Sequence, residues 1–161
     1  MRKTLALTAL TALTALTALL FCAAQAFAAD ALYDEKADAR ADIRTALASA
    51  QQAKLPVLVV FGANWCGDCK MLDRAFKSGA SAPLMAKSFR IVKVDVGRFD
   101  HNVDIATGYG VPLKSGVPAV AVLAADGRVL YATAGGELAD ARKMGDAGVL
   151  DFFTTVAAKH R

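Results

Sequence analysis

Val57-Leu58-Val59-Val60-Phe61-Gly62-Ala63-Asn64-Trp65-Cys66-Gly67-Asp68-Cys69-Lys70 sets two cysteines, two residues apart, behind an apolar run rich in β-branched side chains. Val57–Phe61 is too short for a lone helix and suits a strand buried on both faces. Beyond it Cys69, Leu72 and Phe76 recur at i, i+3 and i+7, with Lys70, Asp73, Arg74 and Lys77 on the other side. That spacing predicts a helix opening at the cysteines, with Cys69 facing inward and Cys66 at its tip.

Free backbone N–H groups and the positive end of the helix dipole stabilise an anion at such a tip, so Cys66 is expected to ionise more readily. Only a thiolate attacks a disulfide, and a free thiol of pKa about 8.5 is mostly protonated at neutral pH. Cys69, one turn on, can reach the same sulfur. A static disulfide and half of a zinc site are the competing readings. The second wants another ligand pair of similar spacing, which the sequence does not contain.

Trp65-Cys66-Gly67-Asp68-Cys69-Lys70 behind an apolar strand, with Val117-Pro118 further on, resembles the active site of the thioredoxin superfamily. The resemblance runs roughly from Pro56 to Tyr131. It implies an α/β, thioredoxin-like fold in which helices flank a central four-stranded mixed sheet. It also implies a thiol–disulfide oxidoreductase with Cys66 as nucleophile and Cys69 as resolving thiol, needing no cofactor and no metal. By the same resemblance Val117-Pro118 would be a cis peptide facing the cysteines, its Val117 backbone free to pair with an extended substrate segment. Trp65, Gly67, Asp68, Lys70 and Lys93 would tune the redox pair. Lys93 matches the lysine that in the family neighbours a buried acid; the acid's own position is Val60 here.

Met1-Arg2-Lys3, an apolar stretch from Leu5 to Phe21 and Ala26-Phe27-Ala28 form a secretory signal pattern with cleavage expected before Ala29. Residues 29–161 then form one domain, long enough for a proper core. An uncleaved anchor, or a lipoprotein modified at Cys22, competes with this; the bulky Phe21 before Cys22 argues against lipidation. The formal charge of +4 includes Arg2 and Lys3, so the domain is closer to neutral and carries no basic run for nucleic acid. Of three cysteines Cys66 and Cys69 survive maturation, and an exported chain with two cysteines at this spacing suits exchange better than stapling.

Between Tyr33 and Ala53 the residues Ile43, Leu47 and Ala50 mark an amphipathic helix, with no evident strand before it. Pro83 opens a short segment through Phe89, and Ile91–Val96 alternates as a second strand parallel to the first. Asp100 or Asn102 can cap a helix ending at Tyr109, and Val111–Pro118 is longer than the matching family turn. Ala119–Ala124 and Arg128–Ala132 form a hairpin around Asp126-Gly127. Glu137–Met144 suits a short helix, and Asp146 caps a last one with Val149, Phe152, Phe153 and Val156 on its inner face. His101 and His160 lack the spacing of a metal ligand set.

A stabilised thiolate makes an oxidant, so Asp68 bears on direction. A carboxylate in the active-site turn repels a nearby thiolate, raises the Cys66 pKa and favours a reductant, with Lys70 offsetting part of this. With Val60 apolar, the Cys69 proton is expected to leave through Asp68 or water. The expected partners are protein disulfides and, for a periplasmic or secreted reductant, a membrane electron relay; nothing suggests more than a monomer. The alternatives are a disulfide oxidase or isomerase, and a non-enzymatic binding or metallochaperone module using Cys66, Cys69 and His101.

Overall fold

The computed structural model describes residues 31–160. The expected signal segment 1–28, with Cys22, lies outside the described residues. The first helix, α1, runs from Ala39 to Ala53, where the Asp38 carboxylate accepts from Ala41 N at 3.0 Å and Lys54 closes the end in the left-handed region. The alanine-rich, charged composition that suggests a helix begins at Tyr33, but residues 31–38 are not helical. Tyr33 is instead held in the core: its N–H donates to Asn64 Oδ1 (2.8 Å), and Asn64 Nδ2 donates back to its carbonyl (2.9 Å).

Strand β1 (Val57–Gly62) follows, then α2 (Gly67–Ser78), α3 (Ala82–Ser88) and β2 (Arg90–Asp95). After α4 (Val103–Gly108) and one 3-10 turn at Leu113–Ser115 come β3 (Ala119–Leu123), β4 (Val129–Ala132) and α5 (Ala141–Lys159). The four-stranded sheet has the order β2-β1-β3-β4. β1 pairs parallel with β2 and antiparallel with β3, and β3 pairs antiparallel with β4 across the turn at Asp126-Gly127. Every residue of β1 and β3 is buried, as two central strands covered on both faces must be.

Alternate residues of β1 serve two cores. Val57, Val59 and Phe61 join Ile43 and Ala50 of α1 with Ile105 of α4, while Leu58 and Val60 join Leu72, Met85, Phe153 and Val156. Phe153 anchors the second core, meeting Phe76 at 5.0 Å, Phe152 at 5.0 Å and Phe89 at 6.4 Å between ring centroids, all edge to face. Burying such a ring contributes roughly 1.5–3 kcal/mol.

Two local readings are adjusted. The short helix expected over 137–144 starts only at Ala141, and non-helical backbone at Gly145 (φ 63°, ψ −177°), a state that glycine tolerates, divides α5 into that short piece and the longer one expected after Asp146. Asn102 precedes α4 but does not cap it. Its side-chain amide donates to the Asp95 carbonyl at 2.8 Å, while its backbone is left-handed (φ 51°).

Candidate functional site

β1 ends at Gly62, and the chain turns through Ala63–Trp65 to place Cys66 as the N-cap of α2, with an extended backbone. A disulfide joins Cys66 to Cys69, and both residues are buried. Cys66 Sγ accepts a hydrogen bond from Cys69 N at 3.0 Å, so one of the free donors of the first turn is directed at this sulfur. On its other side Cys66 Sγ lies 3.4 Å from the Val117 carbonyl oxygen. The Val117–Pro118 peptide bond is cis, and both residues are buried.

Trp65 stands half exposed (47%) at the rim. Its indole Nε1 donates to the Gly97 carbonyl at 2.7 Å, and its ring meets Phe99 edge to face at 5.8 Å. The loop that receives it is braced from below, because the buried Asp95 carboxylate accepts from Gly97 N at 2.8 Å. His101 Nδ1 lies 3.5 Å from the same carboxylate. Among the described residues no three metal-ligating side chains cluster. Beside Phe99 lies a groove lined by Val103, Pro112, Leu113, Lys114 and Gly116, so the long turn that precedes Val117 in the sequence forms one of its walls. Trp65, Phe99 and Val103 give this rim an exposed apolar character.

Asp68 and Gly67 meet a segment that the motif does not announce. The Asp68 carboxylate accepts from Arg142 N (2.9 Å), Nε (3.2 Å) and Nη2 (3.1 Å), the last two as a fork on one oxygen. Burial alone would raise the Asp68 pKa, but the hydrogen bonds and charge of Arg142 outweigh it and hold the carboxyl below its ordinary range. Gly67 leaves room for this, since a Cβ there would sit 3.3 Å from the guanidinium carbon. The sequence reading is corrected here: the cation paired with Asp68 is Arg142, seventy-four positions away, whereas Lys70 is exposed.

Lys93 lies opposite Val60 in the β1–β2 ladder. No acid stands at Val60, yet the Lys93 ammonium is paired: it donates to Asp73 of α2 and, at 3.4 Å, to the Leu32 carbonyl. Asp73, read from the sequence as part of the solvent side of α2, has its side chain only 16% exposed and is also bonded to Lys77 at 3.0 Å. The Lys93 ammonium lies 5.8 Å from the centroid of the Tyr33 ring. Tyr33 in turn covers Gly62: a Cβ there would fall 2.5 Å from Tyr33 Cζ and 2.9 Å from Cys69 Sγ. The Tyr33 pKa is driven up, above all by burial and then by the Asp73 and Asp95 charges. Sequence reasoning missed Tyr33, Asp73 and Arg142 as neighbours of the site. An aromatic residue inside a polar stretch was the one local signal, and it pointed to burial rather than to chemistry.

A family described as thioredoxin-like matches residues 38–125. No curated protein is similar enough to match the chain. Among solved structures, a disulphide isomerase from Xylella fastidiosa Temecula1 is 48% identical, with 80% of this chain and 98% of that one covered and a TM-score of 0.76. The C-terminal domain of Neisseria meningitidis DsbD in its oxidised form is 21% identical over 68% of this chain and 97% of its own, with a TM-score of 0.42. A Pseudomonas aeruginosa protein of unknown function is 22% identical over 74% of this chain and 80% of its own, with a TM-score of 0.41.

Proposed function

Because this chain belongs to the thioredoxin-like family and is a thiol–disulfide oxidoreductase, we propose that it acts from its reduced state, as a reductant of disulfides in exported proteins. The observation that carries the direction is the surroundings of Cys66 Sγ. Among the described residues it receives one hydrogen bond, from the Cys69 backbone, and the ionised side chain anchored inside the motif is the Asp68 carboxylate. A thiolate held this lightly does little to stabilise the dithiol form, so the disulfide is comparatively stable and the pair reducing. Arg142 softens the repulsion from Asp68 without adding a donor to the sulfur.

In the forward reaction the Cys66 thiolate attacks a substrate disulfide, and one substrate sulfur leaves as a thiolate. Cys69 then attacks Cys66 Sγ; the Cys66–Cys69 bond forms and the second substrate sulfur departs with its electron pair. The substrate gains two electrons, and the enzyme's dithiol is oxidised to the disulfide. The buried Val117 backbone beside Cys66, and the apolar groove walled by the turn just before it, suit an extended substrate segment with apolar residues near its cysteine. Met1–Ala28 supports export, and a membrane electron relay would then have to restore the dithiol, since the bacterial periplasm is kept oxidising. Disulfide isomerisation is the second reading, favoured by the similarity to the Xylella protein. It uses the same thiolate and differs in returning the substrate re-bonded.

Equilibration with a thiol buffer tests the direction: a potential near or below about −200 mV is expected, and one near the −120 mV of a dedicated oxidant would refute it. Insulin reduction should vanish in Cys66→Ser; unchanged turnover would remove the enzyme reading itself. Scrambled ribonuclease separates the second reading, since a reductant leaves free thiols and an isomerase restores activity.

A further inference from the structure

Val60 leaves the resolving cysteine without the acid that the family places beside it, and a different residue occupies the space next to Cys69. Three observations describe that residue. Tyr33 is 2% exposed, and its backbone is clamped on both sides by the Asn64 amide. Its hydroxyl end and Cys69 Sγ converge on the same point above Gly62, leaving no room for even a methyl group. Its ring lies beneath the Lys93 ammonium, which Asp73 anchors.

Resting on the reductive reading above, we propose that Tyr33 is a positioning residue for the resolving step: its buried hydroxyl donates a hydrogen bond to Cys69 Sγ in the reduced protein and holds that sulfur as a thiolate. A hydrogen bond to the charged form of a group favours that form, and a donor already fixed in a dry site loses little on making it. The raised pKa of Tyr33 suits this part, because the phenol keeps its proton at working pH and remains a donor. Its charged neighbours are Asp73 on α2 with Lys93 and Asp95 on β2; the two carboxylates oppose ionisation of the phenol, as burial does, while the Lys93 ammonium, itself paired with Asp73, acts the other way. The proton balance is simple. Cys69 releases its proton to water, its sulfur bonds to Cys66 Sγ, and the departing substrate thiolate takes up a proton from water. Tyr33 keeps its own.

Reaction of the reduced protein with the aromatic disulfide dithiobis(nitrobenzoate) tests this, since each half-reaction releases one coloured thiolate. The first release reads attack by Cys66 and the second reads resolution by Cys69. In Tyr33→Phe the second release should slow about three- to fourfold, while the first stays within about 1.5-fold of wild type. The roughly tenfold loss of thiolate from a rise of about one unit in the Cys69 pKa is partly offset by the greater nucleophilicity of the more basic thiolate. A second release at the wild-type rate, or equal slowing of both, overturns the proposal. Absence of any first release in wild type would sink the enzyme reading instead. Tyr33 is tested independently of turnover by titrating the Cys69 thiolate absorbance in Cys66→Ser with and without Tyr33→Phe. The pKa should rise by about one unit, and an unmoved value overturns the proposal. If Tyr33→Phe does not fold, 3-fluorotyrosine incorporated into Cys66→Ser with Tyr109→Phe and Tyr131→Phe leaves Tyr33 as the labelled phenol. This stronger donor should lower the Cys69 pKa, and no change again overturns the proposal.

Discussion

Gly62→Ala is the substitution whose sign separates a packed contact from a tolerant strand end. Gly62 closes β1 with a backbone φ outside the left-handed region, so alanine meets no conformational barrier there. If packing were indifferent, the exchange would stabilise the strand by about 0.5–1 kcal/mol, because glycine loses more freedom on folding. The structure demands the opposite. The new methyl would lie 2.5 Å from Tyr33 Cζ and 2.9 Å from Cys69 Sγ. Neither partner can step aside: Tyr33 is fixed through Asn64, and Cys69 through its disulfide and helix. Overpacking of this kind costs about 1–3 kcal/mol. Taking about 2 kcal/mol and about 3–6 °C per kcal/mol for a domain of this size, Tm should fall by roughly 6–12 °C. The assay is thermal and urea unfolding of the oxidised protein, followed by far-ultraviolet circular dichroism. In a Tyr33→Leu background, which removes the ring carbon in question, the same Gly62→Ala step should cost less by about 1 kcal/mol, a coupling well above the error of additivity. A neutral or stabilising Gly62→Ala, or an additive double mutant, would refute the close approach of Tyr33 to the cysteine pair.

Arg142→Met should raise the Cys66 pKa and make the pair more reducing, because it leaves the Asp68 carboxylate unopposed; Asp68→Asn should do the reverse, both read by thiolate absorbance. The Asp68 pKa is depressed in the folded protein, so the stability this link supplies is complete above the ordinary value of 3.8 and is lost as pH falls through the lower folded value. The stability gap between wild type and Arg142→Met should therefore close on acidification, and a gap constant down to pH 2 would contradict it. Phe153→Ala removes the ring shared by Phe76, Phe89 and Phe152 and should cost about 3–5 kcal/mol in urea unfolding, leaving the potential of the surviving folded fraction unmoved. Trp65→Phe deletes the donor to Gly97 and should increase amide exchange across residues 97–101, with no loss of global stability beyond about 1 kcal/mol.

What could be read along the chain was what depends on neighbours in sequence. A five-residue apolar run with no alternation means burial on both faces, and β1 is one of the two central strands. Asp126-Gly127 marks a tight turn through its own backbone preferences, and the β3–β4 connection turns there. The helical stripe beginning at Cys69 was also legible, although Ala75 rather than Phe76 is its fully buried member one turn beyond Leu72. The failures share a cause. Tyr33 lies outside its expected helix because Asn64, thirty-one positions away, binds both of its backbone groups. Asp73 leaves the solvent side because Lys93 arrives from the neighbouring strand. Arg142 reaches Asp68 through an α5 whose start is displaced to Ala141 and whose next turn is bent at Gly145. Each depends on a partner that local pattern does not encode, so propensity and periodicity had no access to it.

These distant partners also change how charge acts on the cysteines. α2 carries one acid in its first turn, Asp68, and another near its middle, Asp73, and either alone would oppose a thiolate at the helix tip. Both are met by cations from other elements, Asp68 by Arg142 and Asp73 by Lys93, with Lys77 of α2 itself also on Asp73, and each carboxylate side chain is largely covered. Each acid is thereby compensated at close range, so the link presents little net charge to Cys66 for salt to screen. What remains at Cys66 is then chiefly the helix terminus and one backbone N–H at a buried sulfur, a modest stabilisation. The potential should consequently shift little between low and high ionic strength in wild type. In Arg142→Met, where Asp68 is left free, it should move toward the wild-type value as salt is added, because screening then falls on an exposed carboxylate. Equal salt responses in the two proteins would mean that the Asp68–Arg142 link does not govern the charge felt by Cys66.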